Sequence, residues 1–195
     1  HAAHPDVRIL PDLPPPDEAS LRRQIDGVNG EFAALKSLWR DAGAEACERL
    51  CDPVLKANIY GRDRVQGWRV QMEDFLSADR PPLPLFDAFD RFTTDRISQA
   101  LRKGQPAPLH PFFAACQRLG EGVRELQTAF EQHLLFLKTE LFRTMRSELP
   151  RRKRQLNVLH YDDLLLNLRE ALRSPRGAAL AQIIRTTYRA ALIDE

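Results

Sequence analysis

The chain has 195 residues, of which 43% are hydrophobic and 29% are charged, and its formal net charge is +2. This composition supports one or two folded units with a buried core and excludes a chain that is disordered throughout. The nearly balanced charge gives no argument for nucleic-acid binding by the surface as a whole, so any basic site has to be local. Because the chain has no apolar run of about 18 residues and its first residues lack the regions of a signal peptide, we expect a cytoplasmic protein without membrane contact.

The first long helix is predicted directly after a proline-rich linker over residues 11–16. Asp17 and Glu18 supply the oxygen cap and the negative charge that favour a helix start. Apolar residues then recur at spacings of three and four, which is typical of a helix with one apolar face. These residues are Leu21, Ile25, Val28, Phe32, Leu35, Trp39, Ala42 and Ala46.

Three shorter helices are predicted next, over about residues 62–78, 86–103 and 111–119, with proline-rich breaks between them. Trp39 and Trp68 lie on apolar stripes of this region. We therefore interpret both as core residues first, rather than as platforms on which nucleic-acid bases stack.

A second long stripe follows, made of Val123, Leu126, Phe130, Leu134, Leu137, Leu141, Met145 and Leu149. A long helix with one apolar face needs a partner that covers this face, and the two long helices can cover each other. We therefore predict a mainly α fold in which residues 11–150 form a helical arm on two long antiparallel helices, and Leu134→Ala should cost roughly 2–5 kcal/mol. The predicted shared core comprises Leu21, Ile25, Phe32, Leu35, Phe130, Leu134, Leu137 and Leu141.

Residues 143–154 form a basic cluster. They include six cationic side chains and one carboxylate, Glu148, so their net charge is +5. Clustered cations of this kind neutralise phosphates and release counterions, so the cluster is a candidate DNA contact. The alternative is a solvated helix end, because cations also suit the negative end of a helix dipole. The six residues are Arg143, Arg146, Arg151, Arg152, Lys153 and Arg154.

The end of the chain carries the residues with candidate chemistry. A helix is predicted over residues 161–173, then a break and a helix through residues 180–184, and then the apolar run 190–193, which ends in Asp194 and Glu195. In P-loop motors a strand ending in two acids uses the Asp for Mg²⁺ and the Glu for the attacking water. Asp162 and Asp163 fit a helix cap, with contact to nucleotide or DNA as the alternative.

The order of these motifs resembles the UvrD/RecB group of superfamily 1 helicases, in which an aromatic-Asp-Asp-Leu-Leu element shortly precedes an Asp-Glu motif. The resemblance is to the RecB-type branch, extends over most of residues 11–195 and is strongest from about residue 150. Its residues are Tyr161-Asp162-Asp163-Leu164-Leu165, Leu168, Ala171 to Ser174, Ala181, Ile183 to Arg185, Tyr188, and Leu192-Ile193-Asp194-Glu195.

This resemblance implies an internal segment of a longer protein, in which residues 151–195 are part of an α/β ATP-binding motor domain. Asp194 would hold Mg²⁺ and Glu195 would be the catalytic base, with ATP and Mg²⁺ as cofactors of the intact protein. The whole protein would be an ATP-dependent 3′ to 5′ DNA helicase and exodeoxyribonuclease of the exodeoxyribonuclease V type. It would process double-strand DNA ends with RecC and RecD subunits, while the arm contacts duplex DNA.

The chain contains no Gly-Lys pair and therefore lacks the P-loop that cradles nucleotide phosphates. We expect this segment alone to bind no cofactor and to have no activity. Two alternatives stay open: a non-enzymatic helical module that binds DNA or protein, and the arm of another UvrD- or AddA-type helicase. Phe or Tyr followed by Gln-Asp-Thr, directly after Glu195 in the gene, would favour the helicase.

Overall fold

A computed structural model describes residues 8–188 and 190, and over these residues the chain is mainly helical, as predicted. The described residues include no regular strand, and an isolated antiparallel bridge pairs Leu55 with Leu101. None of the described helices carries an apolar stretch long enough to cross a bilayer. The helices are α1 (Glu18–Leu50), α2 (Arg62–Ser77), a 3₁₀ helix (Phe89–Phe92), α3 (Thr94–Gln99), α4 (Pro111–Gln155), α5 (Tyr161–Arg173) and α6 (Gly177–Thr187).

The chain divides into two compact units. The helical unit is Leu13–Leu137, and the C-terminal unit joins the residues up to Asp12 to those from Lys138 onward. Helix α4 contributes to both units and continues through Pro150, which costs one backbone hydrogen bond because proline has no N–H. The division into an arm (11–150) and a motor-domain piece (151–195) stays a prediction.

The core of the helical unit lies between α1, α2 and the first part of α4. Helices α1 and α4 are antiparallel: the Trp39 ring lies 4.9 Å from the Phe112 ring, whereas Val28, earlier in α1, packs against Gly122, later in α4. A Cβ on Gly122 would approach the Val28 side chain to 3.3 Å, so glycine permits this close contact. Fully buried side chains include Phe32, Leu35, Leu50, Met72, Phe92, Phe112, Phe113 and Leu119.

The predicted shared core is correct for its four α1 residues and wrong for its four α4 residues, although the α4 stripe is buried at its start. Phe32 and Leu35 are buried, Leu21 and Ile25 pack partly buried against the core, and Leu126 is buried. The next four stripe residues are between 44% and 57% exposed, so the structure contradicts their predicted burial. These four are Phe130, Leu134, Leu137 and Leu141.

The later part of the stripe lies past the start of α1, because α1 begins at Glu18, ten residues before the Val28 that packs against Gly122. Gln24, near the start of α1, lines one cavity together with Ala129, His133 and Phe136 of α4. Those three residues lie on a different side of the helix from Leu134, as the 3.6-residue repeat requires. Packed helices cross at an angle, and therefore a straight apolar stripe cannot stay covered by one straight partner.

Two boundaries differ from the predicted elements. The helix predicted over 86–103 is interrupted at Thr93, whose backbone is extended and whose hydroxyl accepts a hydrogen bond from the backbone N–H of Arg96 at 3.4 Å. Thr93 therefore ends the 3₁₀ helix and caps α3. The helix predicted over 111–119 and the second stripe form one helix, because no residue between them breaks the hydrogen-bond ladder.

Candidate nucleic-acid interface

The six cations of the basic cluster lie on the last turns of α4 in the C-terminal unit. Successive helical residues are rotated by about 100°, so the cluster cannot face one direction. Arg143, Arg146 and Lys153 are partly buried, whereas Arg151, Arg152 and Arg154 are exposed. The cluster is thus divided into two groups with different partners.

Arg143 is held by two carboxylates. Its Nη2 atom lies 2.5 Å from Oδ1 of Asp12, and its Nη1 atom lies 2.6 Å from Oε1 of Glu140. Hydrogen bonds to Glu140 and Asp12 raise the pKa of the Arg143 guanidinium. The charge of Arg143 is therefore already matched within the C-terminal unit, which leaves it less available to a phosphate.

The end of α4 folds the chain back so that Lys153 meets α5. Asn157 adopts a positive φ of 52°, and the N–H groups of Asn157 and Val158 donate to the carbonyls of Arg154 and Lys153. This pair of bonds is a Schellman motif, which ends a helix with a left-handed residue. Lys153 Nζ then donates to both carboxylate oxygens of Asp163 at 2.8 Å.

Asp163 also forms the start of α5. Its Oδ2 atom accepts a hydrogen bond from the backbone N–H of His160 at 2.7 Å, and the His160 ring accepts one from the N–H of Asp162 at 3.4 Å. The two bonds together make a capping box. Asp163 is therefore a capping residue, and His160 supplies the other half of the capping box.

The Lys153–Asp163 pair should make the C-terminal unit sensitive to acid. The hydrogen bond from Lys153 lowers the pKa of Asp163, so the ionised form is favoured in the folded state. Stability from this shift is present above the unfolded pKa, about 3.9, and is lost as the pH falls through the lower folded value. Thermal midpoints measured between about pH 6 and pH 2 should show Asp163→Asn less stable than wild type near neutrality and the difference vanishing in acid.

Glu170→Gln is the matched control, because Glu170 is an exposed carboxylate on the same helix. Its difference from wild type should stay small and nearly constant over the same pH range. A difference between wild type and Asp163→Asn that persists unchanged at the acid end would contradict the role of the ion pair.

Arg146 is the third partly buried cation of the cluster. Its Nε and Nη2 atoms are inaccessible to solvent and make no hydrogen bond within the described part of the chain. Buried polar atoms without a partner are costly, so these two nitrogens fit a structural role better than an open surface contact.

The second group, Arg151, Arg152 and Arg154, is exposed. Arg151 Nε lies 3.1 Å from Oε2 of Glu148, an exposed pair on one helix that contributes little. Arg154 donates to the carbonyl of Pro150 at 3.3 Å. The geometry therefore leaves these three arginines as the part of the cluster that can reach a phosphate backbone.

A comparison with known proteins finds a relative of this chain. No family model matches the chain. Over 185 residues it is 27% identical to the RecBCD enzyme subunit RecB of Escherichia coli K12. The chain is similar to RecB. The alignment covers 93% of this chain but 15% of RecB, so the chain spans a small part of the length of that relative.

The two acids predicted for metal binding and catalysis, Asp194 and Glu195, lie outside the described residues. Among the described residues, no group of three or more His, Cys, Asp or Glu side chains is placed to hold a metal ion. The structure thus describes the candidate DNA contact and the α5 helix that precedes the Asp-Glu motif, but not the motif itself.

Exposed apolar residues are a feature of the C-terminal unit that the sequence did not reveal. Among its described residues, no large apolar side chain is buried, although α5 is strongly amphipathic. An apolar helix face of this kind marks a surface that another element covers. Exposed members are Leu141, Phe142, Met145, Leu149, Leu156, Val158, Leu159, Tyr161, Leu164, Leu165, Leu168, Leu172, Ile183 and Tyr188.

Proposed function

We propose that the chain is a segment of a RecB-like, ATP-dependent DNA helicase and exonuclease subunit that processes double-strand DNA ends. The observation that carries this proposal is the similarity to RecB along nearly the whole chain. In the intact protein, residues 151–195 would belong to the ATP-binding motor domain. Asp194 would bind Mg²⁺, and Glu195 would activate the water that attacks ATP. RecC and RecD subunits would be its partners, and the cytoplasm its compartment.

The exposed apolar side chains of the C-terminal unit support this placement. A helix such as α5 gains most of its stability by packing its apolar face, and isolated short helices are only marginally stable. Leu164, Leu165 and Leu168 are all exposed within the described chain. In a complete motor domain these leucines would pack against the remainder of the domain.

The DNA contact is proposed for the exposed half of the basic cluster. Arg151, Arg152 and Arg154 would meet the phosphate backbone of a duplex, while Arg143 and Lys153 hold the C-terminal unit together through Asp12 and Asp163. Contacts to phosphates position a protein on DNA without reading its sequence. Binding should therefore be weak, independent of sequence and strongly dependent on salt.

Replacing Arg151, Arg152 and Arg154 by Gln should weaken duplex binding for every sequence tested. The slope of log affinity against log salt should fall by about 0.9 for each phosphate contact that is lost. Fluorescence anisotropy with a labelled duplex over a range of salt concentrations gives both quantities. Adding Lys153→Gln should change the affinity little further, because Asp163 already neutralises the Lys153 charge in an ion pair.

The control replaces Arg22, Arg124 and Arg173 by Gln, which removes the same charge from exposed positions outside the cluster. It should bind duplex nearly as wild type does. If the cluster variant instead keeps the wild-type affinity and salt slope, the cluster does not lie on the path of the DNA. Loss of duplex binding in both variants to the same extent would point to net charge alone.

A further inference from the structure

A cleft in the helical unit has no part in the function described so far. It lies between the segment before α2, the first turns of α2, and the 3₁₀ helix with the residues just before it, and its volume is about 430 Å³. That volume is within the range of sites that bind small molecules or single nucleotides. The cleft is lined by Asn58, Ile59, Arg64, Trp68, Asp87 and Arg91.

The buried side of the cleft is fixed by Tyr60. The Tyr60 hydroxyl is buried and donates to the backbone carbonyl of Arg91 at 2.9 Å, and its ring packs edge-on against Trp68 with centroids 5.4 Å apart. These contacts tie both Trp68 and Arg91 to the core. Trp68 nevertheless stays partly exposed, so a rigidly held indole ring borders the cleft.

Two guanidinium groups accompany this ring. The Arg91 guanidinium lies 5.7 Å from the Trp68 ring centroid, and Arg64 donates from Nη1 to the backbone carbonyl of Asn58. Each guanidinium has five N–H donors, so most donors of Arg64 remain available after this bond. Arginine is suited to phosphate because its planar group forms two parallel hydrogen bonds.

The local charge favours an anion. The residues that line the cleft include two arginines and one carboxylate, Asp87. Asp90, outside the lining, is shared between Arg91 at 3.6 Å and Arg96 at 3.3 Å, so it cannot neutralise both. The cleft thus combines an aromatic ring with excess positive charge, the pairing that binds single-stranded nucleic acid through stacked bases and phosphates.

We propose that this cleft binds one nucleotide of a single strand, with its base against Trp68 and its phosphate on Arg64 and Arg91. A duplex is excluded as the ligand of the whole site, because its bases stay stacked on each other and cannot reach an indole ring. This second nucleic-acid site goes beyond the proposed function, which involves duplex DNA and residues of the C-terminal unit.

The test uses the whole chain and a labelled oligothymidylate of about eight nucleotides. Arg64→Gln with Arg91→Gln should weaken binding about tenfold or more at low salt, and the salt slope should fall by about 1.4, or 0.7 for each phosphate contact on a single strand. Arg22→Gln with Arg124→Gln removes two exposed charges elsewhere on the same unit and should bind within about twofold of wild type. Circular dichroism confirms that each variant is folded.

A second measurement tests the proposed contact between the nucleotide base and Trp68. Trp39 and Trp68 are the two tryptophans of the chain, so Trp39→Phe leaves Trp68 as the single indole fluorophore. Oligothymidylate should quench this fluorescence, whereas an abasic oligomer of equal length should bind without quenching. Equal quenching by the abasic oligomer would overturn the base contact.

Unchanged affinity and salt slope in the Arg64 and Arg91 variant would overturn the site. The same oligomer is also titrated into the Arg151, Arg152 and Arg154 variant, which should keep its Trp68 quenching. If quenching and binding are lost there instead, single strands bind the basic cluster and the cleft proposal is wrong. If the wild-type chain does not bind duplex DNA, that result counts against the proposed function. The single-strand measurements on the cleft can still be read in that case.

Discussion

If the chain belongs to a RecB-like motor as proposed, Glu195→Gln in the intact protein should lower DNA-stimulated ATP hydrolysis by about 10²- to 10⁴-fold. The Glu195 carboxylate would accept the proton of the attacking water, and an amide of the same shape cannot. Asp194→Asn should have a comparable effect, because the neutral amide is a weaker ligand for the Mg²⁺ that bridges the nucleotide phosphates. Steady-state hydrolysis with and without DNA ends is the measurement.

Asp26→Asn is the control for this pair, since Asp26 is an exposed carboxylate on α1, far along the chain from the Asp-Glu motif. It should keep wild-type hydrolysis. The 195-residue chain alone should hydrolyse no ATP, because it lacks the Gly-Lys pair of a phosphate-binding loop. A Glu195→Gln protein that unwinds DNA at the normal rate would rule out the assignment of these residues.

Phe32→Ala should lower the free energy of unfolding by about 3–5 kcal/mol, the usual cost of removing a buried aromatic ring. Phe32 is 1% exposed, and its ring packs edge-on against Phe75 of α2 with centroids 5.2 Å apart. The substitution therefore leaves a cavity between α1 and α2 that neighbouring side chains cannot fill completely. Denaturant unfolding followed by circular dichroism measures the change.

Leu134→Ala should change the free energy of unfolding by less than about 1 kcal/mol, in place of the roughly 2–5 kcal/mol expected for a buried leucine. Leu134 is 52% exposed, so little apolar surface returns to water when its side chain is shortened. Val70→Ala, at a position 57% exposed on α2, serves as the matched control. A cost for Leu134→Ala as large as that for Phe32→Ala would mean that the stripe is covered in solution.

Local sequence rules were sufficient for several elements. The Asp17 carboxylate caps α1 through the N–H groups of Ala19 and Ser20, as its position before the first apolar repeat predicted. Helix α5 begins and ends where its pattern predicted. Both results depend on residues within one or two helical turns of each other, and such interactions are encoded directly in spacing.

The candidate site was only partly predictable. Six cations in residues 143–154 are visible in the sequence, but their partners are not, because Asp12 lies 131 residues from Arg143. The fold decided that Arg143 and Lys153 pair with carboxylates while Arg151, Arg152 and Arg154 face solvent. No local pattern carries that division, since it depends on which acids the chain brings back to α4.

The same distinction applies to the apolar residues. The sequence by itself determined a mainly α fold, two long helices with apolar stripes, and the starts of α1 and α5 near their caps. Only the tertiary structure decided that the stripe of α4 is buried at Leu126 and exposed at Leu134, and that Trp68 borders a cleft with Arg64 and Arg91. Periodicity fixes which side of a helix is apolar, but burial depends on where the crossing angle lets a partner helix follow that side.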